Sequence, residues 1–224
     1  SEFSAQYGFD PKTRPNDPLW INWKCAKISS FVNEIYTTVR QINPRIKVSA
    51  AVFPRIEEAK LGVCQDWEEW IEKGIVDFIA PMIYIPSIRE FRVSMEEILK
   101  TVKWRCPVYV GIGVWRLPDA AALLEQVKIS RCWGAQGQVL FCCHYLKEEF
   151  VEALNGDPYS EPATVPHQNT ETKNLALAQG QARHWLRFVS FHPLVTIWAI
   201  ATTLYTVYFV LGLLFTKRRR SPPR

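Results

Sequence analysis

"IVDFIAPMIYI", residues 75–85, is apolar at nearly every position, with Asp77 near its start and Tyr84 near its end. A strand with one solvated face alternates apolar and polar residues, and this run does not. It reads as a short strand buried on both faces, the kind that parallel sheets contain. Three further runs read the same way: "IKVSAAVF" at 46–53, "PVYVGIGVW" at 107–115 and "GQVLFCC" at 137–143.

Helical segments separate these strands. "WINWKCAKISSFVNEIYTTVRQI" places Ile28, Phe31, Val32, Ile35 and Val39 at helical spacing and stops before Pro44. "DWEEWIEKG" is a short helix closed by Gly74, and "EFRVSMEEILKTVKW" is a longer one. "PDAAALLEQVKISRCWG" has Pro118 near its start and Gly134 past its end, and "LKEEFVEALNG" closes the series. Strand and helix in alternation predict an α/β fold with a parallel sheet. A closed (β/α)8 barrel needs eight strands and about 250 residues. The expectation is therefore the C-terminal half of a (β/α)8 TIM barrel over residues 1–154, with the other half upstream of Ser1. A doubly wound sheet is the alternative, but "GIG" at 111–113 is not the GxGxxG of a dinucleotide site. No cofactor is expected.

The 224-residue chain has a formal charge of +5, and Lys217, Arg218, Arg219, Arg220 and Arg224 account for that excess. A neutral body with a basic tip is not the pattern of a nucleic-acid binder. The tip follows "LVTIWAIATTLYTVYFVLGLLF", residues 194–215, which has no charged residue. As a helix it reaches about 33 Å, enough to cross a hydrocarbon core of about 30 Å. The reading is a transmembrane helix over 190–216 and a basic tail over 217–224, with the lipid bilayer as a partner. The upstream flank carries fewer cations, Arg183 and Arg187. The positive-inside rule then puts the tail in the cytoplasm and the domain outside. Residues 155–189, polar and holding Pro158, Pro162 and Pro166, read as a linker.

Six cysteines match no zinc spacing, so no metal site is expected. Cys106, Cys132, Cys142 and Cys143 lie in or beside apolar segments and read as core residues. An extracytoplasmic body leaves room for one disulfide.

The candidate site residues are those that the topology brings to the C-terminal strand ends, where β/α barrels build their sites. Tyr84, Trp115 and His144 each follow a strand. Such aromatic rings can stack on the apolar face of a sugar, and each can equally be packing at the rim. A lone histidine is more often structural than catalytic. Gln65 and Asp66 open a helix at the same end. Asp66 with Glu69 resembles a capping box, and it is also the one carboxylate of 65–85 placed near the mouth. Glu68 and Glu69 suit the helix dipole, and Trp67 and Trp70 share a packing face. Asp77, at the strand's other end, has a structural role. Most glycoside hydrolases use two carboxylates roughly 5 to 9.5 Å apart. The strand ends "AVFP", "PMIY", "GVW" and "CCHY" carry none, and Glu57, Glu58 and Glu90 lie in the loops beyond.

Taken in order, "DPLWINWK", "ISSFVNEIYTTVRQINPRIKVSAAVFP", "QDWEEWIEKGIVDFIAPMIY", "YVGIGVW" and "GAQGQVLFCCHYL" resemble the glycosyl hydrolase-like 10 family, also described as DUF187. The likeness is greatest to bacterial, cyanobacterial-type members and covers about residues 6–154. It implies a TIM barrel and hydrolysis of glycosidic bonds in cell-envelope or extracellular polysaccharide, peptidoglycan strands among them. Gln65, Asp66 and Tyr84 fall in the family's motif stretches and inherit a site role from the resemblance. The family's acidic strand end of the Phe-Asp-Tyr type is absent. Two functions are therefore expected: a membrane-anchored glycoside hydrolase seen in part, with Asp66 as its catalytic candidate, or a glycan-binding scaffold with no turnover. The two open edges of a half sheet also predict pairing with a second copy.

Overall fold

Each expected strand forms and pairs with its neighbour in sequence. The computed structural model describes residues 1–161 and 163–191. The strands are β1 (Ser49–Val52), β2 (Phe78–Ile83), β3 (Tyr109–Gly113) and β4 (Gly137–Phe141), in the order β1-β2-β3-β4. All three pairings are parallel. The strand order never reverses, so these four strands contain no switch point of the doubly wound kind.

Eight helices accompany them among the described residues: α1 (Glu2–Tyr7), α2 (Pro18–Ile42), α3 (Ile56–Val63), α4 (Trp67–Glu72), α5 (Ile88–Val102), α6 (Ala120–Trp133), α7 (Glu148–Gly156) and α8 (Thr170–Phe191). Short polar side chains start most of them. Asp17, Asp66, Ser87 and Asp119 accept backbone N–H groups at the starts of α2, α4, α5 and α6. Cys64, Lys103 and Gly134 end α3, α5 and α6 in the left-handed conformation that satisfies the last carbonyls.

The strands' alternation divides the sheet into two unlike faces. Val52, Ile79, Ile83, Val108, Val110 and Ile112 point one way and are buried with Phe91, Met95, Ile98, Leu123 and Val127 of α5 and α6. The register puts the other parity on one face: Ser49 and Ala51, Phe78 to Met82, Tyr109 to Gly113, Gly137 to Phe141. Here Ser49 and Ala51 are exposed, and Phe78, Met82, Val139 and Phe141 are half-buried. This face is lined by small side chains between aromatic rings at its two ends.

Helix α2 buries a different stripe from the one its spacing suggests. Ile21, Cys25 and Ser29 are its buried residues, with Val32 and Tyr36 packed against the core. Ile28, Phe31 and Ile35 face outward, and Phe31 is 59% exposed. A helix with apolar residues on two faces offers two stripes at the same period, and the spacing alone cannot say which one meets this sheet.

Asp77 has the structural task expected at the start of its strand. Its carboxylate accepts Arg40 at 2.5 Å and the Val48 N–H at 2.8 Å, tying β2 to the end of α2 and the entry to β1. Only Cys25 and Cys106 of the six cysteines are buried, and Cys132, Cys142 and Cys143 are exposed. The last three are therefore not core residues, although their neighbours are apolar.

The stretch 155–189 read as a linker carries α8, a helix of 22 residues. Asn169 and Thr172 start it reciprocally: the Asn169 side chain accepts the Thr172 N–H at 2.9 Å, and the Thr172 hydroxyl accepts the Asn169 N–H at 3.0 Å. The chain divides into two compact units, residues 1–183 and residues from 184 onward. The sheet belongs to the first. In the described part of the second, the Trp185 and Phe188 rings lie 6.2 Å apart. No helix among the described residues is long and apolar enough to cross a membrane. The apolar run 194–215 and the basic tail lie outside the described residues.

Candidate functional site

The last residues of β2, β3 and β4 hand over to three aromatic segments. β2 passes directly into Tyr84. β3 passes into a 3-10 turn, Val114–Arg116, that carries Trp115. β4 ends at Phe141, and after Cys142 a second turn, Cys143–Tyr145, carries His144 and Tyr145. Parallel pairing brings these exits side by side, since Gly113 is the register partner of Phe141.

The rings converge. Tyr84 and Trp115 meet edge to face with centroids 4.7 Å apart, and Tyr84 and Phe141 meet at 5.3 Å. Tyr145 stands 6.5 Å from Trp115, and His144 lies 5.4 Å from Tyr145. The contact depends on Gly113. A β-carbon there would sit 2.9 Å from the Tyr84 ring and 3.2 Å from that of Trp115. The rings therefore close over bare backbone. The shelf stays open to solvent: Trp115 is 39% exposed and Tyr145 50%. Burial raises the Tyr84 phenol above its ordinary value, and the neighbouring Cys142 thiol adds to the effect. Tyr84 is thus a neutral hydroxyl, able to donate a hydrogen bond and to accept one.

Tyr84 and Trp115 are brought together, and His144 joins them at the margin through Tyr145. Gln65 and Asp66 are engaged at the exit of β1. The Gln65 amide accepts the Phe53 N–H at 3.0 Å and donates to the Ala51 carbonyl at 3.4 Å, extending the strand by side chain. Asp66 caps α4 through the Glu69 N–H and holds Lys60 at 2.7 Å. Burial opposes the charge on Lys60. The Asp66 hydrogen bond and field outweigh it, and the Lys60 pKa is raised.

The remaining side chains of α4 are bracing too. Trp67 is buried and donates to the Phe53 carbonyl at 3.0 Å. Trp70 donates to Ser29 at 2.9 Å, and Ser29 donates to Glu69 at 2.6 Å, locking α4 against α2. Glu68 and Glu72 face Arg105. Glu58 pairs with Arg55 in the first turn of α3, and Glu90 lies in the first turn of α5. No side chain of the shelf is a carboxylate. Among the described residues no group of three or more His, Cys, Asp and Glu could hold a metal ion.

A second feature lies at the opposite ends of the strands. A cavity of about 620 Å³ is lined by Tyr109, Gly137, Gln138, Tyr159 and His167, among others. Burial pushes the Tyr109 hydroxyl up to about 12. Burial and Lys47 together lower the pKa of His167, against the pull of Asp77. The phenol oxygen and the neutral imidazole's Nδ1 share a hydrogen bond of 2.6 Å. The imidazole also stacks on Phe78 at 4.4 Å.

Phe141 and Tyr145 are shelf residues that strand-end reading missed. Two-residue alternation from Gly137 through Val139 puts Phe141 on the face of Tyr84, and that signal was available in the sequence. Chemically, the shelf presents apolar ring faces and two phenols at the mouth of a parallel sheet. That suits stacking against the C–H face of a sugar. It carries no carboxylate.

Residues 1–123 match the family described as Glycosyl hydrolase-like 10. The match takes in Gln65, Asp66, Tyr84 and Trp115, and Phe141 and His144 lie beyond it. A glycosyl hydrolase of Bacillus subtilis (strain 168), YngK, is 26% identical over 212 residues, which cover 78% of this chain and 40% of that protein. The chain thus spans about 40% of the length of the curated relative it matches. With more than half of its residues in the family match, this chain belongs to the glycosyl hydrolase-like 10 family.

Proposed function

We propose that this chain is the C-terminal half of a (β/α)8-barrel glycoside hydrolase that acts on cell-envelope or extracellular polysaccharide. Its part in that enzyme is to bind sugar. The observation that carries the reading is the convergence of Tyr84, Trp115 and Phe141 at the C-terminal ends of three adjacent parallel strands. Family membership and the printed name of the relative support the reaction class. The outward stripe of Ile28, Phe31 and Ile35 on α2 supports the half-barrel, because a preceding βα unit would cover it. The outer edges of β1 and β4, unpaired among the described residues, would then join the strands of the other half, or those of a second copy.

In this reading Trp115 and Phe141 hold a pyranose by its apolar face while Tyr84 hydrogen-bonds a ring hydroxyl. The carboxylate pair that protonates the leaving oxygen and stabilises the oxocarbenium-like transition state comes from the upstream half. The apolar run 194–215 anchors the protein in the membrane with its domain on the outer side.

The test is a titration of the whole chain with soluble β-linked oligosaccharides, followed by tryptophan fluorescence. Binding should quench the signal, and Trp115→Ala should weaken affinity by about tenfold, the loss of one stacking face. Affinity unchanged in Trp115→Ala would remove the shelf from the site. The second reading, glycan binding without hydrolysis, is favoured by the absence of carboxylates from the shelf. It prevails if the product of the whole gene binds these oligosaccharides and releases no reducing ends.

A further inference from the structure

Tyr84 hangs from the least supported of the three strand exits. Trp115 rides in a 3-10 turn and Phe141 is the last residue of β4. Tyr84 instead opens a three-residue link, with Ile85 and Pro86, that ends at the Ser87 cap of α5. Sheet pairing stops at Ile83, the register partner of Ile112. Beyond it the Tyr84 N–H turns back to the Met82 carbonyl at 3.1 Å, and Pro86 has no N–H to give. The Ile85 carbonyl is held from another element. Gln126, in α6, donates through Nε2 to that oxygen at 2.7 Å. Gln126 is 1% exposed, and Leu123 and Val127 of the same helix are core residues. Its Oε1 is buried too and has no hydrogen-bond partner among the described residues. A half-satisfied amide destabilises a core that an apolar side chain of the same size would fill. Stability does not account for this residue, and the carbonyl that it holds is the one next to Tyr84.

We propose that Gln126 positions Tyr84 for sugar binding: by fixing the Ile85 carbonyl it holds the Tyr84 ring in edge-to-face contact with Trp115. The inference rests on the shelf being a sugar site. Buried as it is, Gln126 touches no ligand and acts through Tyr84. The ring needs such a hold. It lies over the bare backbone of Gly113, against Phe141 and a Trp115 that is itself open to solvent. An edge-to-face pair loses its attraction as the rings slide. Binding sites keep their geometry when hydrogen bonds behind them lock the contacting side chains. Without the Gln126 donor, the half-buried Ile85 carbonyl turns to water and the link gains freedom.

The experiment compares the whole chain with Gln126→Met, a side chain of similar length that cannot donate. Hydrogen exchange read by mass spectrometry should be faster in the peptide that covers 84–87 and unchanged in those of β3 and β4. The urea midpoint should hold or rise. Affinity for soluble β-linked oligosaccharides, followed by tryptophan fluorescence, should fall roughly fivefold, the equivalent of about one hydrogen bond. In a Tyr84→Ala background, Gln126→Met should change affinity no further, because Gln126 acts through that ring. The proposal is overturned if exchange at 84–87 is unchanged, if affinity is unchanged while the parent binds, or if the loss persists without Tyr84. A lowered urea midpoint with affinity intact makes Gln126 a structural residue and overturns it too. A parent chain that binds no oligosaccharide overturns the sugar site itself, and faster exchange at 84–87 in Gln126→Met then shows that the hold on Tyr84 stands without it.

Discussion

Replacing Asp66 separates bracing from chemistry, because its two oxygens do different things. One accepts the Glu69 N–H at 3.3 Å and starts α4, and the other holds Lys60 at 2.7 Å. An N-cap of this kind is worth about 1 kcal/mol. The ion pair is partly shielded, with side chains 15% and 32% exposed, which puts it near the upper end of the surface range, about 1 kcal/mol. Asp66→Ala loses both and should cost about 2 kcal/mol. Asp66→Asn keeps a capping oxygen and loses only the charge, so it should cost about 1 kcal/mol. Urea titration followed by tryptophan fluorescence reads the difference directly, because Trp67 and Trp70 are buried in the six-residue helix that Asp66 caps. In the proposed hydrolase, folded Asp66→Asn should keep kcat within about twofold of the parent. Equal losses in the two variants would refute the capping argument. A hundredfold fall in kcat for Asp66→Asn at an unchanged urea midpoint would refute the bracing role and make Asp66 the catalytic carboxylate.

Gly111 and Gly113 should respond differently to alanine. A β-carbon at Gly111 would lie 2.8 Å from the Pro81 carbonyl and 3.2 Å from the Met82 Cα, backbone that cannot yield, so Gly111→Ala should cost about 3 kcal/mol in a urea titration. Gly113→Ala meets only the Tyr84 and Trp115 rings and should cost about 1 kcal/mol, while oligosaccharide binding falls more than stability does. Ser29→Ala leaves the Trp70 N–H without its buried acceptor and should cost about 2 kcal/mol by the same assay. Burial raises the pKa of Glu69, but Lys73 and Ser29 outweigh it and hold the group below its ordinary value. The stability this gives is present above the unfolded carboxyl pKa and is lost as pH falls through the folded one, so Ser29→Ala should also move acid unfolding to higher pH. His167 runs the same way for a different reason. Its folded pKa is lowered, so the unfolded chain binds more protons just below the ordinary histidine value, and stability falls as pH drops through that window. His167→Phe should flatten the difference in urea midpoint between about pH 7 and about pH 5.

Strands were legible because burial on both faces leaves no other use for runs such as "IAPMI" and "YVGIG". Most helices were legible from caps and period. What escaped had weak local signals. α3 has eight residues, no side-chain cap at Arg55 and a glycine before its end, and it passed as a loop. α8 was hidden by the prolines before it, although the Asn169 and Thr172 pair marks its start. The outward stripe of α2 could not be told from the buried one, since both repeat at helical period and only the sheet decides between them. The site followed the same rule. Tyr84 and Trp115 stood out as the first residues past their strands, and Phe141 went unnoticed because β4 stops two residues before the end of its apolar run. At Cys142 the backbone turns to φ 67, and no residue type announces that turn.

The placement of acids explains why the aromatic shelf carries no carboxylate. The connections from β2 to α5 and from β3 to α6 are short, so the first serine or aspartate after each strand is taken by the start of the next helix. Ser87 caps α5 and Asp119 caps α6. After β1 the longer connection spends its acids on the first turn of α3 and on the cap of α4. A carboxylate serving a helix N-terminus is held by backbone N–H groups. The strand exits are left to aromatic rings and glycine, which suit stacking against a sugar and carry no carboxylate. A sheet with one face packed by helices, the other lined by small side chains, and a helix showing a second apolar stripe has the form of one side of a larger enclosure. In the proposed hydrolase, the acids that the shelf lacks would stand on the half that closes it.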